Sequence, residues 1–142
     1  MTITAEDVYA LAPYARTLGV TFDSLDASEL RTGLAFVPAL STTGGSLHGG
    51  ALLGLADVSA AVCAVLNAPP GTLPATADST ARFMRPVHGD ATAVSRPLQV
   101  TRSRVIVEVE ISDASGRLCA KVTQSVSLVA PRRTEDVERQ FV

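Results

Sequence analysis

Tryptophan is absent from this 142-residue sequence, and aromatic side chains make up only 4% of it. The full set is Tyr9, Tyr14, Phe22, Phe36, Phe83 and Phe141. So few aromatic rings give no indication of a ligand recognised by stacking. Histidine is also rare, and no group of Cys, His and carboxylate residues has the spacing of metal ligands. We therefore expect neither a metal nor a cofactor.

Cysteine is scarce as well. Cys63 and Cys119 are the only two, and their positions match no redox or metal motif. We expect both to be packed core thiols, which fits a reducing, cytoplasmic environment. Residues 1–18 carry three charged side chains and lack the apolar core of a signal peptide, so secretion is not indicated.

The chain also lacks a large excess of charge of either sign. The formal net charge is −2, with 12 basic and 14 acidic residues interspersed along the chain. No electrostatic field of the kind that recruits nucleic acid or acidic membranes is predicted. The length and the 46% hydrophobic content predict one globular domain over residues 1–142.

The most informative residue is Asp57, the only charged side chain between His48 and Pro69. Burying an ionised carboxylate among aliphatic side chains is costly unless it is hydrogen-bonded or serves a function. The alternative is a helix residue bonded to core hydroxyl groups. A membrane span over 49–66 is disfavoured, because a central Asp costs about 2.5–3.5 kcal/mol on insertion scales. We expect a buried core helix and no membrane partner.

The pattern of hydrophobic residues predicts an α+β fold. A helix is expected over Ala5–Leu18, with Thr4 as a cap and a kink or end at Pro13, followed by an extended segment over Val20–Pro38. The long apolar helix is expected over Gly49–Asn67. Four strands rich in Val, Thr and Ile follow: Ala75–Arg85, Ala91–Arg102, Arg104–Ser112 and Arg117–Val129. The economical arrangement is a curved antiparallel sheet wrapped around the long helix.

Strict alternation is clearest in Arg104–Ser112. Val105, Val107, Val109 and Ile111 share one face, which indicates a sheet with one buried side. Asp113–Gly116 then has the composition of a hairpin turn. The charged tail over 131–142 has no clear period and is predicted to be a loose end or a short helix.

Five motifs occur in a characteristic order: His48-Gly49-Gly50, Leu55-Ala56-Asp57, Thr76-Ala77-Asp78, Phe83-Met84-Arg85-Pro86 and Gly89-Asp90. Together they resemble the hotdog-fold acyl-CoA thioesterases of the phenylacetic-acid-degradation type. The similarity runs from about residue 20 to residue 129. It implies a hotdog fold, a homodimer whose sheets join edge to edge or a homotetramer of such dimers, and hydrolysis of an acyl-CoA to free acid and coenzyme A.

The spacing of two motif residues can be tested without that resemblance. Gly49 and Asp57 are eight residues apart, which is about 12 Å along a straight helix. A nucleophile must approach a bound carbonyl to about 3–3.5 Å. One helix is therefore unsuited to hold a carbonyl at Gly49 and attack it from Asp57, whereas two antiparallel helices related by a two-fold axis can do both. The spacing favours a dimer with two shared sites.

In such a site the Gly49 N–H, aided by the positive helix end, would stabilise the developing oxyanion, and Gly50 would allow close approach of the substrate. Asp57 would act as general base or as nucleophile, and both routes stay open. The resemblance implies that Thr76 orients the water or the carboxylate, although a Thr in a strand needs no such role. His48 would position the thioester, or cap the helix and fix its loop.

One position departs from the resemblance. Many relatives carry an Asn six residues before the His, where this chain has Thr42, which is shorter and lacks an amide. Thr42 is expected to contact substrate, with slower hydrolysis or altered binding as the consequence. Asp78 is interpreted as a structural partner rather than a second acid, and His88 as a turn residue.

Coenzyme A carries phosphates, and four arginines lie on predicted strands or at their ends. Arg85 and Arg102 are the favoured phosphate contacts, and solvated surface charge is the alternative. Two other functions stay open. One is a hotdog protein that binds an acyl-CoA without hydrolysing it, and the other is hydration of an enoyl thioester.

Overall fold

The computed structural model describes residues 2–131 and shows one long helix packed against a six-stranded antiparallel sheet. Two short helices, α1 and α2, precede it. The elements, in chain order, are α1 (Ala5–Leu11), α2 (Pro13–Leu18), β1 (Val20–Leu25), β2 (Leu30–Leu34), α3 (Gly49–Leu66), β3 (Leu73–Phe83), β4 (Ala91–Val100), β5 (Arg104–Ser112) and β6 (Leu118–Val129). The predicted α+β arrangement of a sheet around a long helix is confirmed.

The strand order in the sheet is β1-β2-β4-β5-β6-β3. Strand β3 therefore does not lie between β2 and β4 but forms an edge of the sheet beside β6. Every strand pair is antiparallel. Helix α3 packs across the inner face and contacts all six strands. Among the described residues the outer edge of β3 has no strand partner, which leaves its backbone groups open to pairing.

Helix α3 is buried because its apolar residues cover almost its whole circumference. Leu55, Ala60 and Cys63 are completely buried, and the helix as a whole packs against the sheet and α2. With 18 residues and a mean hydropathy of 1.9, the helix Gly49–Leu66 is long enough and apolar enough to span a membrane. A buried core helix passes the same test, and the packing of α3 on the sheet is the arrangement predicted from the sequence.

The inner face of the sheet supplies the other half of the core. Val105, Val107, Val109 and Ile111 of β5 are fully buried, whereas the residues between them are partly exposed. This confirms the predicted alternation. The predicted hairpin turn is also present, because Asp113 Oδ1 accepts hydrogen bonds from the backbone N–H groups of Ser115 and Arg117, both at 3.0 Å.

Several predicted boundaries differ from the structure. The segment Val20–Pro38 is not one extended stretch, because a turn at residues 26–29, in which Ser28 N–H donates to Asp26 Oδ1, separates two strands. By contrast, the break predicted at Pro13 in the first helix is confirmed, because the helix is divided at Ala12, just before Pro13, which has no N–H to continue it. The strand predicted over 75–85 begins two residues earlier and ends at Phe83. The predicted tail lies outside the described residues beyond Pro131.

Candidate active site

Asp57 lies at the middle of α3 and its carboxylate points toward β3 and β6. Thr76 Oγ1 donates a 2.8 Å hydrogen bond to Asp57 Oδ1. Gln124 Nε2 donates a second 2.8 Å bond to the same oxygen and a 3.1 Å bond to Thr76 Oγ1. Asp57 is therefore bonded to neutral donors, and its side chain is half-buried rather than enclosed.

A β-bulge in β3 makes this arrangement possible. Thr76 pairs with Val126 and Ser79 with Gln124, so the four residues 76–79 of β3 lie opposite the three residues 124–126 of β6. The extra residue lies between Thr76 and Asp78. Without it, Thr76 and Ser79 would point to opposite faces of the sheet, because side chains alternate along a strand. The bulge thus brings both hydroxyl groups to the side of the sheet that faces Asp57.

The N-terminus of α3 is held by its preceding loop. Leu47 N–H donates to the Val87 carbonyl at 2.9 Å, and His48 N–H donates to the Leu40 carbonyl at 2.8 Å. Within residues 2–131 the Gly49 N–H has no acceptor, as expected for the first residue of a helix. The Phe83 ring lies beside Gly49, since a Cβ built on that glycine would be 3.7 Å from it. The first residue of α3 therefore combines an unpaired N–H with an exposed aromatic ring as its neighbour.

His48 caps the helix through its side chain. Its Nδ1 accepts a 2.8 Å hydrogen bond from the Gly50 N–H, so a neutral imidazole must carry its proton on Nε2. The Nε2–H is then available to a ligand because the residue is exposed. The Gly50 N–H is committed to the cap, so Gly49 is the free donor of this glycine pair.

Thr42 directly precedes a short 3₁₀ turn, Thr43–Gly45, and is its N-cap residue. Its backbone N–H donates to the Ser46 carbonyl at 2.9 Å, and its exposed hydroxyl is 3.5 Å from that of Thr43. The structure does not bring Thr42 into contact with Asp57 in the same chain. Asp78 is exposed and likewise makes no hydrogen bond with Asp57.

Arg85 and Arg102 lie at opposite ends of the sheet. Arg85 follows β3, where α3 begins, and donates to the Leu118 carbonyl at 3.3 Å. It lines a pocket of about 450 Å³ with Pro86, His88, Asp113 and Arg117. Arg102 lies in the turn between β4 and β5, at the end of the sheet where β3 begins, since Arg104 and Ala75 pair with Ser127 from its two sides. The basic pocket was not predicted, and His88 belongs to it.

The two thiols are unsuited to chemistry. Cys63 and Cys119 are both buried and unpaired, as predicted. Burial raises the pKa of the Cys63 thiol to about 11, and burial is also the main reason why the pKa of the Cys119 thiol is raised. Both thiols therefore stay protonated at neutral pH. Across residues 2–131, no three His, Cys, Asp or Glu side chains lie together in a group suited to a metal ion.

Gln124 and Ser79 are site residues that the sequence reasoning missed. Gln124 is completely buried, and its Oε1 accepts a hydrogen bond from Ser79 Oγ. A signal was present, because Gln124 is the single polar residue in the inward row of β6. That row consists of Ala120, Val122, Gln124, Val126 and Leu128. A buried amide among aliphatic residues needs hydrogen-bond partners, so Gln124 by itself indicated a polar partner such as Asp57.

Comparisons with known proteins agree with this geometry. A family model described as the thioesterase superfamily matches residues 44–120, more than half of the chain. The segment contains the start of α3, Asp57 and Thr76. The chain therefore belongs to the thioesterase superfamily, and hydrolysis of a thioester is the general activity that this membership supports. No curated protein sequence matches the chain.

Solved structures identify the fold. A thioesterase from Haemophilus influenzae has a TM-score of 0.85 at 21% identity, over 94% of this chain and 96% of that one. A mutant thioesterase from Pseudomonas aeruginosa has a TM-score of 0.82 at 20% identity, over 91% and 96%. A phenylacetic acid degradation-related protein from Ralstonia eutropha, described as a putative thioesterase, has a TM-score of 0.76 at 24% identity, over 82% and 89%. The fold is the hotdog thioesterase fold, as predicted.

Proposed function

We propose that this protein hydrolyses an acyl-CoA thioester to free acid and coenzyme A, as a thioesterase of the phenylacetic-acid-degradation type. Membership of the superfamily supports thioester hydrolysis in general. The observation that carries the finer proposal is the carboxylate of Asp57, which sits on an otherwise apolar helix that starts with an unpaired N–H. A carboxylate can serve as the base or nucleophile, and a helix N-terminus as the oxyanion donor, in attack on a thioester.

The proposal includes a homodimer, or a homotetramer built from it. Helix α3 is one continuous helix from Gly49 to Leu66, so Gly49 and Asp57 are about 12 Å apart in one chain. The outer edge of β3 is open and Asp57 lies beneath that strand. Pairing of two β3 edges about a two-fold axis would bring Asp57 of one chain toward Gly49 of the other.

In this shared site the Gly49 N–H and the helix dipole would bind the thioester oxygen as it becomes negative. As a general base, Asp57 would take a proton from water, whose oxygen then bonds to the carbonyl carbon. The tetrahedral intermediate would release the thiolate, which is protonated to coenzyme A. As a nucleophile, Asp57 would attack the carbonyl carbon and break its bond to sulfur, which releases the coenzyme A thiolate and leaves a mixed anhydride. Water would then hydrolyse this anhydride to the free acid and restore the Asp57 carboxylate. The His48 Nε2–H would help to orient the thioester.

The phosphates of coenzyme A need cationic partners near the site. Arg85 and Arg117 meet that need in the pocket beside the N-terminus of α3, together with His88. Edge-to-edge pairing would also bring the Arg102 end of one sheet near the Arg85 end of the other. We propose these residues as contacts for the nucleotide end of the substrate. No metal or further cofactor is required, and the two unpaired thiols suit a cytoplasmic location.

The test is release of free thiol from a panel of short aliphatic and aryl acyl-CoA esters by wild type and Asp57→Asn. The variant keeps the size of the side chain and loses the ionisable oxygen, so turnover should fall by at least about 10³-fold while the dimer stays folded. Size-exclusion chromatography and circular dichroism check that the variant is intact. Unchanged turnover in Asp57→Asn would refute the assignment of the carboxylate.

One observation favours the second candidate, a hotdog protein that binds an acyl-CoA without hydrolysing it. Thr42 replaces the Asn that the resemblance places there, and its hydroxyl is turned to Thr43. Binding of coenzyme A esters without thiol release from any ester of the panel would identify that function instead.

A further inference from the structure

Gln124 is connected to Asp57 in a way that the proposed roles of Gly49, His48 and Thr76 do not explain. Its side chain is completely buried, and both the nitrogen and the oxygen of its amide are hydrogen-bonded. Nε2 donates to Asp57 Oδ1 and to Thr76 Oγ1, at 2.8 and 3.1 Å. Oε1 accepts from Ser79 Oγ. The amide is therefore held at both ends.

The orientation of this amide follows from its partners. An ionised carboxylate can only accept hydrogen bonds, so the NH₂ group of Gln124 has to face Asp57. The carbonyl oxygen must then face Ser79, which donates its hydroxyl proton. The reversed orientation would place the amide oxygen against Asp57 Oδ1, so the carboxylate excludes it, and Ser79, whose hydroxyl can donate, anchors the carbonyl end. The order of donation runs from Ser79 through Gln124 to Asp57.

The result is an asymmetric carboxylate. Oδ1 of Asp57 accepts two hydrogen bonds, from Thr76 and from Gln124. No donor within residues 2–131 bonds to Oδ2. The lone pairs of Oδ2 are therefore the free ones, and this oxygen is the one able to take a proton from water or to attack a carbonyl carbon. Thr76 donates its only hydroxyl proton to Oδ1. In this state it therefore orients the carboxylate and has no proton left to donate to a water molecule.

We propose that Gln124, anchored by Ser79, is a positioning residue that fixes Oδ1 of Asp57 and leaves Oδ2 as the reacting oxygen. This inference rests on the proposed thioesterase function. Neutral donors suit the task, because they restrict rotation of the carboxylate without pairing it with a positive charge. An arginine in the place of Gln124 would form a bidentate ion pair and occupy both oxygens.

The kinetic test uses Gln124→Met, which keeps the length and volume of the side chain but donates no hydrogen bond. Met is compatible with the apolar row of β6, so the variant should fold. We expect kcat to fall about 10²-fold, as for a misplaced catalytic group, with KM nearly unchanged. Ser79→Ala should lower kcat less. Thr123→Ala, an exposed neighbour on the opposite face of β6, is the matched control and should match wild type.

A second readout does not depend on turnover. The side-chain amide signals of Gln124 in a proton–nitrogen correlation spectrum are those that vanish in Gln124→Met. They should be protected from exchange, and they should move in Asp57→Asn and in Ser79→Ala but not in Thr123→Ala. The proposal would be overturned if the Gln124 amide protons exchange freely with solvent and their signals do not move in Asp57→Asn.

The two readouts separate the two ideas. If wild type hydrolyses no ester, the proposed function fails, and the amide signals alone decide whether Gln124 holds the carboxylate. If wild type is active and the amide is held, but kcat of Gln124→Met stays within about twofold of wild type, the positioning role is refuted.

Discussion

Gly49 offers a substitution that removes one hydrogen-bond donor and little else. Proline is well tolerated at the first position of a helix, where the N–H has no helical partner. His48, the residue before it, has φ −61° and ψ 138°, which are the values that a following proline favours. A Cβ at Gly49 would be 3.7 Å from the Phe83 ring, which is ordinary contact. Gly49→Pro should therefore fold.

We predict that Gly49→Pro lowers kcat by about 10²–10³-fold, the usual loss when one oxyanion donor is removed. Gly49→Ala is the matched control, since it adds a Cβ and keeps the N–H. Its loss of kcat should be much smaller. Steady-state thiol release measures both variants. Equal losses in the two would show that the space beside Phe83 matters and that the N–H does not.

At the scale of elements, the junction between the loop and α3 depends on the His48 side chain. Its Nδ1 satisfies the Gly50 N–H, which would otherwise lack a partner. We predict that His48→Ala lowers the free energy of unfolding by about 1 kcal/mol, as loss of a helix cap usually does. His48→Asn should lose much less, because Asn is a preferred capping residue. Urea denaturation followed by circular dichroism measures the difference.

The same pair of variants separates capping from catalysis. If His48 only fixes the loop, His48→Asn retains turnover. If the Nε2–H also contacts the thioester, both variants lose turnover although one of them keeps its stability. A His48→Asn variant as unstable as His48→Ala would contradict the capping role.

For the whole molecule, the separation of Gly49 from Asp57 leads to a complementation experiment. Gly49→Pro and Asp57→Asn chains should each have very low activity as homodimers, because every site lacks either the N–H or the carboxylate. A mixed dimer would contain one site with both groups intact and one site with both groups changed. Random mixing of equal amounts should therefore restore about a quarter of wild-type activity, since half of the dimers are mixed and each has one good site.

Co-expression of the two variants with different purification tags, followed by thiol release from the doubly tagged species, measures the recovery. In that purified species every dimer is mixed, so its activity should be about half that of wild type. Doubly tagged species of Asp57→Asn alone provide the background. If each site were built within one chain, the mixed dimer would contain no intact site and activity would stay at the background. This result would refute the shared site and the edge-to-edge dimer that it requires.

The sequence predicted much of the fold because the relevant signals are local. The alternation of Val105, Val107, Val109 and Ile111 shows which face of β5 is buried, and Pro13 shows where the first helix must break. The apolar run around Asp57 identified both the central helix and its exceptional residue. These features depend on periodicity and backbone chemistry within a few residues, which a sequence displays directly.

The order of the strands and the partners of Asp57 depend on contacts between distant residues. No local pattern places β3 beside β6, and only that pairing brings Ser79 to Gln124. The bulge between Thr76 and Asp78 has no signal in the residues themselves, yet it determines which side chains face α3. The sequence by itself determined the helix, the strands and the isolated carboxylate, because burial follows from residue type. Only the tertiary structure decided which oxygen of Asp57 is held, because hydrogen-bond geometry arises when segments far apart in the chain pack together.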